Sequence, residues 1–317
     1  MKQVGKTKTM VVLPGKKIRW RRILPFYVMV LPGFIYLLVN NYIPMFGIII
    51  AFKKLNFSKG IFKSDWCGFD NFRFLFATKD AWSITRNTVL YNITFFIVGT
   101  VVAVALAILM NEITQKKASK VYQTLILLPY LMSWVIVGYI SYAFLSSETG
   151  LINKAILSPL GFETVNFYQD KTYWPLILVL VYLWKSVGYS MIIYLSSVVG
   201  ISKDYYEAAR IDGAGKWQQI KTITLPLLKP TVITMFILNV GQMFRSDFGL
   251  FYQVPRNSGP IYSVTRTIDV YVYQALMKNS DYGMSSAASV YQSIVGFALI
   301  MIVNAIIRKY QKESALF

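Results

Sequence analysis

A lysine stands inside an apolar stretch of this sequence, where a charged side chain is costly. Lys185 lies within 173–199, a run long enough to cross a membrane. An ammonium group at that depth must face a cavity or a partner, so it marks a candidate binding site. Trp184 and Tyr189 flank it with aromatic rings, and Gly188 would let a helix bend there. The sequence leaves a structural alternative open, in which Lys185 snorkels or donates to a backbone carbonyl at a helix break.

A second candidate group closes a later apolar run. Gln242 and Met243 follow Asn239 by three and four positions, so on a helix the three share one face. Asn239 and Gln242 could line a pathway, or they could hydrogen-bond to neighbouring helices as packing contacts. Arg245 and Asp247 follow closely. We predict a structural ion pair between them, and the alternative is that Arg245 meets a carboxylate on an acidic sugar.

Composition excludes most catalytic chemistry. The chain has no His, which removes imidazole-based zinc sites, Ser-His-Asp triads and histidine proton relays. Its one cysteine, Cys67, allows no internal disulfide or thiolate cluster. No phosphate-binding GxxxxGK[ST] loop is present, since Gly215-Lys216 is followed by Trp217. We therefore expect no enzyme, no metal and no cofactor bound by this chain.

Long apolar stretches are the elements that must position these residues. The apolar fraction of 55% suits a polytopic membrane protein better than a soluble one. We predict an all-α protein with about six transmembrane helices, each near the roughly 20 residues that cross a bilayer. The predicted spans are 24–52, 88–110, 122–145, 173–199, 231–251 and 287–307.

Basic residues are unevenly distributed between the predicted connecting segments. With the N-terminus inside, the inner segments carry 19 Lys and Arg against 5 acids, and the outer segments 13 against 9. This follows the positive-inside rule and explains the net charge of +19 without nucleic acid. The sequence thus predicts a basic cytoplasmic tail at 1–22, a membrane domain at 23–309 and a cytoplasmic C-terminal tail at 310–317.

One polar segment separates the fourth and fifth spans on the predicted cytoplasmic side. Asp204 can cap a two-turn helix, with Glu207 completing a capping box, and Gly213 suits a left-handed C-terminal cap. A second short helix is predicted over 214–224, ended by Pro226. Helices this short cannot cross a bilayer, so we expect them at the membrane surface.

The spacing within this segment, 204–230, matches a known motif. Glu207-Ala208-Ala209 is followed after three residues by Gly213, and after nine more by Ile223-x-Leu225-Pro226. The pattern resembles the EAA motif of the membrane subunits of binding-protein-dependent ABC importers, of the type I fold. Composition alone would allow a plain solvated loop whose alanines favour helix. The ATPase-coupling residues that the resemblance implies are Glu207, Ala208, Ala209, Asp212, Gly213, Ile223, Leu225 and Pro226.

The wider sequence resembles one branch of these permeases, the LplB-type sugar permeases, relatives of the maltose transporter's membrane subunits. The resemblance runs from about 22 to 308 and implies oligosaccharides or glycosides as the substrate class. The matching stretches are 31–33, 42–48, 51–53, 66–72, 184–189 and 247–259.

The resemblance also implies the partners. They are a second, similar permease, a cytoplasmic ABC ATPase dimer that binds ATP and Mg²⁺, an extracytoplasmic sugar-binding protein, and the bilayer of a bacterial cytoplasmic membrane. Sugars stack on apolar faces and hydrogen-bond through their hydroxyls, so intramembrane aromatic and polar residues become candidates for the pathway. These candidates are Trp184, Lys185, Tyr189, Asn239, Gln242 and Met243.

Two other classes of protein fit the sequence less well. An ion-coupled secondary transporter usually places acids within its spans. Here the acids near a span are Glu112, at a cytoplasmic edge, and Asp247, at an outer end beside Arg245. A membrane-embedded enzyme would need a general acid and base, and the spans contain neither His nor a pair of carboxylates.

Overall fold

The computed structural model describes residues 20–73 and 79–310 of the 317-residue chain. The tails predicted at 1–22 and 310–317 lie almost wholly outside the described residues.

The first of two units in the chain comprises Met1–Ile48, and its described part is helical. It contains α1 (Trp20–Leu37), a π-helical turn (Leu38–Tyr42) and α2 (Ile43–Met45). The π turn holds the Asn40-Asn41 pair, and the Asn40 amide donates to the Tyr36 carbonyl at 3.0 Å. Side chains that bond back to the preceding turn compete with regular helix geometry. The apolar side chains of α1 are exposed along its length, so lipid or a partner can cover them.

The second unit, Ile49–Phe317, is also mainly helical. A two-stranded antiparallel sheet pairs β1 (Lys53–Lys54) with β2 (Asp65–Trp66) around the one-turn helix α3 (Gly60–Lys63). The helices that follow are α4 (Lys79–Asn111), α5 (Lys116–Leu127), α6 (Trp134–Leu145), α7 (Trp174–Val199), α8 (Lys203–Ile211), α9 (Lys216–Gln219), α10 (Leu225–Val240), α11 (Phe248–Gln253), α12 (Tyr262–Thr265), α13 (Ile268–Asn279) and α14 (Tyr282–Tyr310).

The predicted polytopic all-α fold is confirmed. Among the described residues, five helices are long and apolar enough to cross a membrane, and a bent pair, α5 with α6, brings the number to six if it counts as one span. The five are Leu24–Phe52, Asp80–Asn111, Trp174–Val199, Lys216–Val240 and Tyr282–Lys309.

The third span is not the continuous helix that the sequence predicted. α5 ends at Leu127, a 3₁₀ turn follows, and α6 starts at Trp134 at an angle of 97°. Pro129 lies in that turn, where its missing N–H and its restriction of the preceding residue oppose a continued α-helix. Ser133 then caps α6 by accepting a bond from the Ile136 N–H at 3.4 Å.

The predicted helix end at Pro226 is wrong. α9 passes through a π-helical turn, Ile220–Thr224, directly into α10, which makes one helical stretch over Lys216–Val240. Pro226 occupies the first turn of α10, directly after the π-helical turn, and this local change of helix geometry accommodates its missing N–H. The fifth span therefore begins earlier than predicted.

The same span also ends earlier than predicted. α10 stops at Val240, and a tight turn leads to the separate helix α11 instead of continuing to residue 251. The Asn92 side chain of α4 donates to the carbonyls of Met243 and Arg245, at 3.1 and 2.8 Å, and so holds the turn. This contact satisfies backbone groups that a helix would otherwise satisfy.

The core of the second unit lies between α4 and α7. Phe95 and Tyr182 stack with their ring centroids 3.9 Å apart. Further along, the fully buried Ala103 and Ala107 of α4 pack near Met191 of α7. Small residues let transmembrane helices approach closely, and close van der Waals packing drives helix association within lipid.

Candidate coupling and pathway sites

The helix α8 begins at Lys203, one residue before the predicted cap. Ser202, not Asp204, is the N-cap, and its hydroxyl accepts a bond from the Asp204 N–H at 3.3 Å. The predicted capping box between Asp204 and Glu207 is therefore wrong, because Asp204 already lies within the helix. Glu207 is consequently an exposed residue in the middle of α8.

Gly213 ends α8 in the left-handed conformation that the sequence predicted, with φ +83°. The Gly213 N–H donates to the Arg210 carbonyl at 3.1 Å, and the Ala214 N–H donates to the Ala209 carbonyl at 2.8 Å. These two bonds form a Schellman motif, which satisfies the last carbonyls of the helix. The turn between α8 and α9 is thus defined by its backbone.

Three side-chain contacts hold the two short helices, two of them within the segment and one to the residue after α4. The Tyr206 hydroxyl bonds to the Thr224 hydroxyl at 2.9 Å. Gln219 donates to the Ala214 carbonyl at 2.8 Å, and Lys216 forms an exposed ion pair with Glu112 just after α4. The ion pair is weak because solvent screens it. The two neutral contacts fix α8, the turn and α9 relative to one another.

The outward face of α8 and α9 is partly apolar. We define the coupling surface as the exposed side chains of this face, which are Tyr205, Glu207, Ala208, Ile211, Asp212 and Trp217. Ile211 and Trp217 have exposures of 87% and 75%. Large exposed apolar groups with a polar surround are typical of an interaction site. Of the other motif residues, Gly213, Leu225 and Pro226 are exposed, while Ala209 and Ile223 are half-buried.

Lys185 is buried and reaches the break between α5 and α6. Its Nζ donates to the Tyr130 carbonyl at 2.9 Å and lies 4.9 Å from the centroid of the Trp134 ring. This geometry is the structural alternative that the sequence left open. Tyr189 is half-exposed and stacks on Tyr130 with centroids 4.9 Å apart, and Trp184 is also partly exposed.

Gly188 does not bend α7, which is continuous from Trp174 to Val199. A Cβ at Gly188 would instead lie 2.2 Å from the Ile126 carbonyl oxygen of α5. The glycine is therefore required by the close approach of another backbone. It brings α5 near enough for Lys185 to bond at the break.

Asn239 is exposed near the end of α10, and its amide donates to the Met235 carbonyl at 2.7 Å. It also borders a cavity of about 50 Å³ between α4, α7 and α10, which Thr100, Ser186 and Ser190 help to line. This cavity is far smaller than the roughly 300–1,000 Å³ of pockets that hold small-molecule ligands. The predicted shared helix face with Gln242 and Met243 is wrong, because α10 ends at Val240 and those two residues lie in the following turn.

Arg245 and Asp247 do not form the predicted ion pair. The Asp247 carboxylate caps α11 by accepting the Leu250 N–H at 3.3 Å, while Arg245 donates to the Ser293 hydroxyl at 3.4 Å. A carboxylate at a helix N-terminus is stabilised by the free N–H groups there. Among the described residues, the ion pairs are Lys59–Asp65, Lys216–Glu112 and Arg266–Asp80.

The sequence interpretation missed a second polar pocket, beside α6 and α11. It has a volume of about 210 Å³, and its polar lining includes Tyr139, Tyr252, Gln253, Arg256 and Asn257. We call it the Arg256 pocket. The turn-forming run Pro255-Arg256-Asn257-Ser258-Gly259 was the available signal, but nothing in its spacing assigns a role to the arginine. Within the described residues no cluster of His, Cys, Asp or Glu could hold a metal ion.

Comparisons with known proteins find relatives that align with nearly the whole chain. Residues 99–312 match the family described as "Binding-protein-dependent transport system inner membrane component". The protein LplB of Bacillus subtilis is 33% identical, over 96% of each chain. The polygalacturonan/rhamnogalacturonan transport system permease protein YteP of the same organism is 34% identical, over 91% of this chain and 89% of its own.

A solved structure is also similar. It is a bacterial ABC transporter involved in the import of the acidic polysaccharide alginate, with a TM-score of 0.83 and 29% identity over 92% of this chain and 98% of the matched chain. A second structure of the alginate transporter, in complex with a periplasmic protein bound to an alginate pentasaccharide, gives the same TM-score at 28% identity.

Proposed function

Because the chain belongs to the family of binding-protein-dependent transport system inner membrane components, we propose that it forms half of the translocation pathway of an ABC importer for oligosaccharides or glycosides. It is a multi-pass membrane protein, and its relatives are named as transport permeases, not enzymes. The substrate class is supported by those names, which include a permease for polygalacturonan and rhamnogalacturonan. The other half of the pathway is a second, similar permease, and both termini of this chain are cytoplasmic.

The coupling surface is the observation that supports the link to a separate ATPase. Two short helices, closed by a defined turn at Gly213, present Ile211 and Trp217 to solvent. Burying such side chains in a groove stabilises an interface, and the exposed Tyr205 of α8 adds a further aromatic group to the coupling surface. In this proposal the partner ATPase binds ATP and Mg²⁺, and its movements are transmitted through α8 and α9. An extracytoplasmic binding protein delivers the sugar at the opposite end.

We assign different roles to the candidate pathway residues. Trp184 and Tyr189 are partly exposed and can present aromatic faces to a sugar. Asn239 and Gln242 are exposed and Met243 is half-buried, so the end of α10 and its turn contribute polar groups. Lys185 has its Nζ engaged at the helix break, so we assign it to positioning that break instead of to binding the sugar.

The experiment is a co-purification from cells that express the chain with its neighbouring permease and ATPase genes. The tagged protein is expected to bring down both partners. Ile211→Asp is expected to lower the amount of co-purified ATPase at least tenfold, because a carboxylate would enter a desolvated interface. Leu160→Asp is the matched control, since Leu160 is another exposed apolar residue, 66% exposed, outside the coupling surface. A protein that purified alone and transported alone under an ion gradient would overturn the proposal.

A further inference from the structure

The Arg256 pocket contains an arginine that pairs with no acid in the part of the chain that the structure describes. The guanidinium carbon lies 4.1 Å from the Tyr142 ring centroid and 5.8 Å from that of Tyr139. Arg256 is exposed, and none of the ion pairs among the described residues includes it. Burial raises the pKa of the nearby Tyr168 phenol to about 12, so Tyr168 stays neutral beside it. A guanidinium stacked on aromatic faces keeps its N–H edges free for an external acceptor.

The backbone that carries Arg256 is held in an uncommon conformation. Arg256 and Asn257 both have positive φ, +52° and +55°. Two consecutive non-glycine residues in the left-handed region are unfavourable, and such strain persists where surrounding contacts impose it. Here the Tyr262 hydroxyl donates to Asn257 Oδ1 at 2.6 Å, Gln274 donates to the same oxygen, and Ser258 donates to the Tyr168 carbonyl at 2.7 Å. The backbone that carries the guanidinium is thus fixed before any ligand arrives, and the Tyr142 ring lies against the guanidinium itself.

The remaining lining of the pocket suits a sugar. The Tyr139 ring is 66% exposed and offers a face for stacking, while the Gln253 and Asn257 amides offer donors to hydroxyls. Pockets for drug-sized molecules measure about 300–1,000 Å³. The volume of about 210 Å³ therefore admits one sugar ring of a longer chain.

We propose that the Arg256 pocket is a subsite for a carboxylate-bearing sugar unit, such as a uronate, of the oligosaccharide that the importer carries. The inference rests on the proposed function, because it names the substrate class of that same transporter. Arg256 pairs with the carboxylate through two parallel hydrogen bonds, and Tyr139 packs against the ring. A single guanidinium with amide neighbours suits a carboxylate of charge −1 better than a phosphate, which usually recruits several cations or a helix N-terminus. Under the proposed topology the pocket faces the outside, where substrate arrives.

The test uses the complete complex in proteoliposomes, with its binding protein, and compares uptake of trigalacturonate with uptake of galactotriose, which has no carboxylates. The measured quantity is the ratio of the two initial rates in each variant. Because every variant receives the same binding protein, the selectivity of that protein cancels when a variant's ratio is divided by that of the wild type. If the binding protein carries only the acidic sugar, the rate for that sugar is compared between variants.

Arg256→Gln is expected to lower the ratio about tenfold, since hydrogen bonds to charged groups are lost. Arg256→Lys is expected to lower the ratio less, because the positive charge remains although the planar guanidinium group is lost. The control, Lys154→Gln, removes one positive charge from an exposed position in the loop after α6 and should leave the ratio unchanged. An unchanged ratio in Arg256→Gln, an equal loss for both sugars, or a wild type that carries only the neutral sugar would each overturn the subsite. A wild-type complex whose ATPase did not respond to any loaded binding protein would overturn the proposed function itself.

Discussion

Lys185 places an ammonium group against the Tyr130 carbonyl, where the chain turns between α5 and α6. The last carbonyls of a helix have no partner within the helix, and a bend inside a membrane exposes them to a medium without water. The lysine donor satisfies one of them, while the Tyr130 and Trp134 rings lie 5.5 and 4.9 Å from the charge. The side chain therefore stabilises the break.

We predict that Lys185→Met lowers the stability of the complex more than it lowers selectivity. The Tyr130 carbonyl would lose its donor, at a loss of about 1–3 kcal/mol. The melting temperature of the purified complex should therefore fall. Lys185→Arg keeps a donor and a charge, so its complex should show a smaller decrease in melting temperature. If Lys185→Met instead abolished transport at an unchanged melting temperature, Lys185 would be a pathway residue.

The residue type singled out Lys185 as a candidate but did not identify the carbonyl that it contacts. Its acceptor, Tyr130, lies 55 positions away and becomes available only because Pro129 interrupts the α-helix. The same limit explains Arg245 and Asp247, which were predicted as a pair from proximity in sequence. A helix N-terminus formed by the chain after Asp247 offers its carboxylate better donors than the arginine does.

At the scale of elements, hydropathy predicts most spans well because twenty apolar residues in succession have few alternatives. The break in the third span is different, since 122–145 reads as one apolar run. The Gly188 contact with the Ile126 carbonyl brings α7 against α5 just before the turn, a tertiary contact that local periodicity does not contain. The extension of α10 back to Lys216 was missed because a π turn accommodates Pro226.

The coupling segment yields a prediction about a backbone conformation. Gly213→Val is expected to disturb the turn between α8 and α9, because a β-branched residue at φ +83° is strained. Space is not the obstacle, as a Cβ at Gly213 meets nothing within 4 Å. The effect should be a severalfold loss of the ATPase activity that loaded binding protein stimulates, with normal amounts of permease in the membrane.

Gly213→Asn is the matched variant, since asparagine tolerates the left-handed region better than other side chains do. It should retain most of the stimulation. Glu207→Lys provides a second comparison, because it reverses a charge on the coupling surface without straining the backbone. If Gly213→Val and Gly213→Asn were equally active, the turn geometry would not matter for coupling.

At the scale of the whole molecule, the distribution of charge predicts how the chain is oriented in the membrane, which the fold alone does not determine. The segments assigned to the inside carry 19 basic and 5 acidic residues, and those assigned to the outside 13 and 9. Helices and bends would be the same in either orientation. The two proposals depend on it, because the coupling surface must meet a cytoplasmic ATPase and the Arg256 pocket must meet incoming sugar.

Orientation can be measured with single cysteines after Cys67, the one native cysteine, is changed to serine. Glu163→Cys, in the loop between α6 and α7, is expected to react with a membrane-impermeant maleimide in intact cells whose outer barrier admits the reagent. Thr114→Cys, in the turn between α4 and α5, should react only after the cells are opened. Both positions are exposed in the structure, so a difference in labelling reports the side of the membrane. The reverse pattern would place Gly213 and the coupling surface outside, where no cytoplasmic ATPase could reach them, and the coupling proposal would fail whatever the other variants showed.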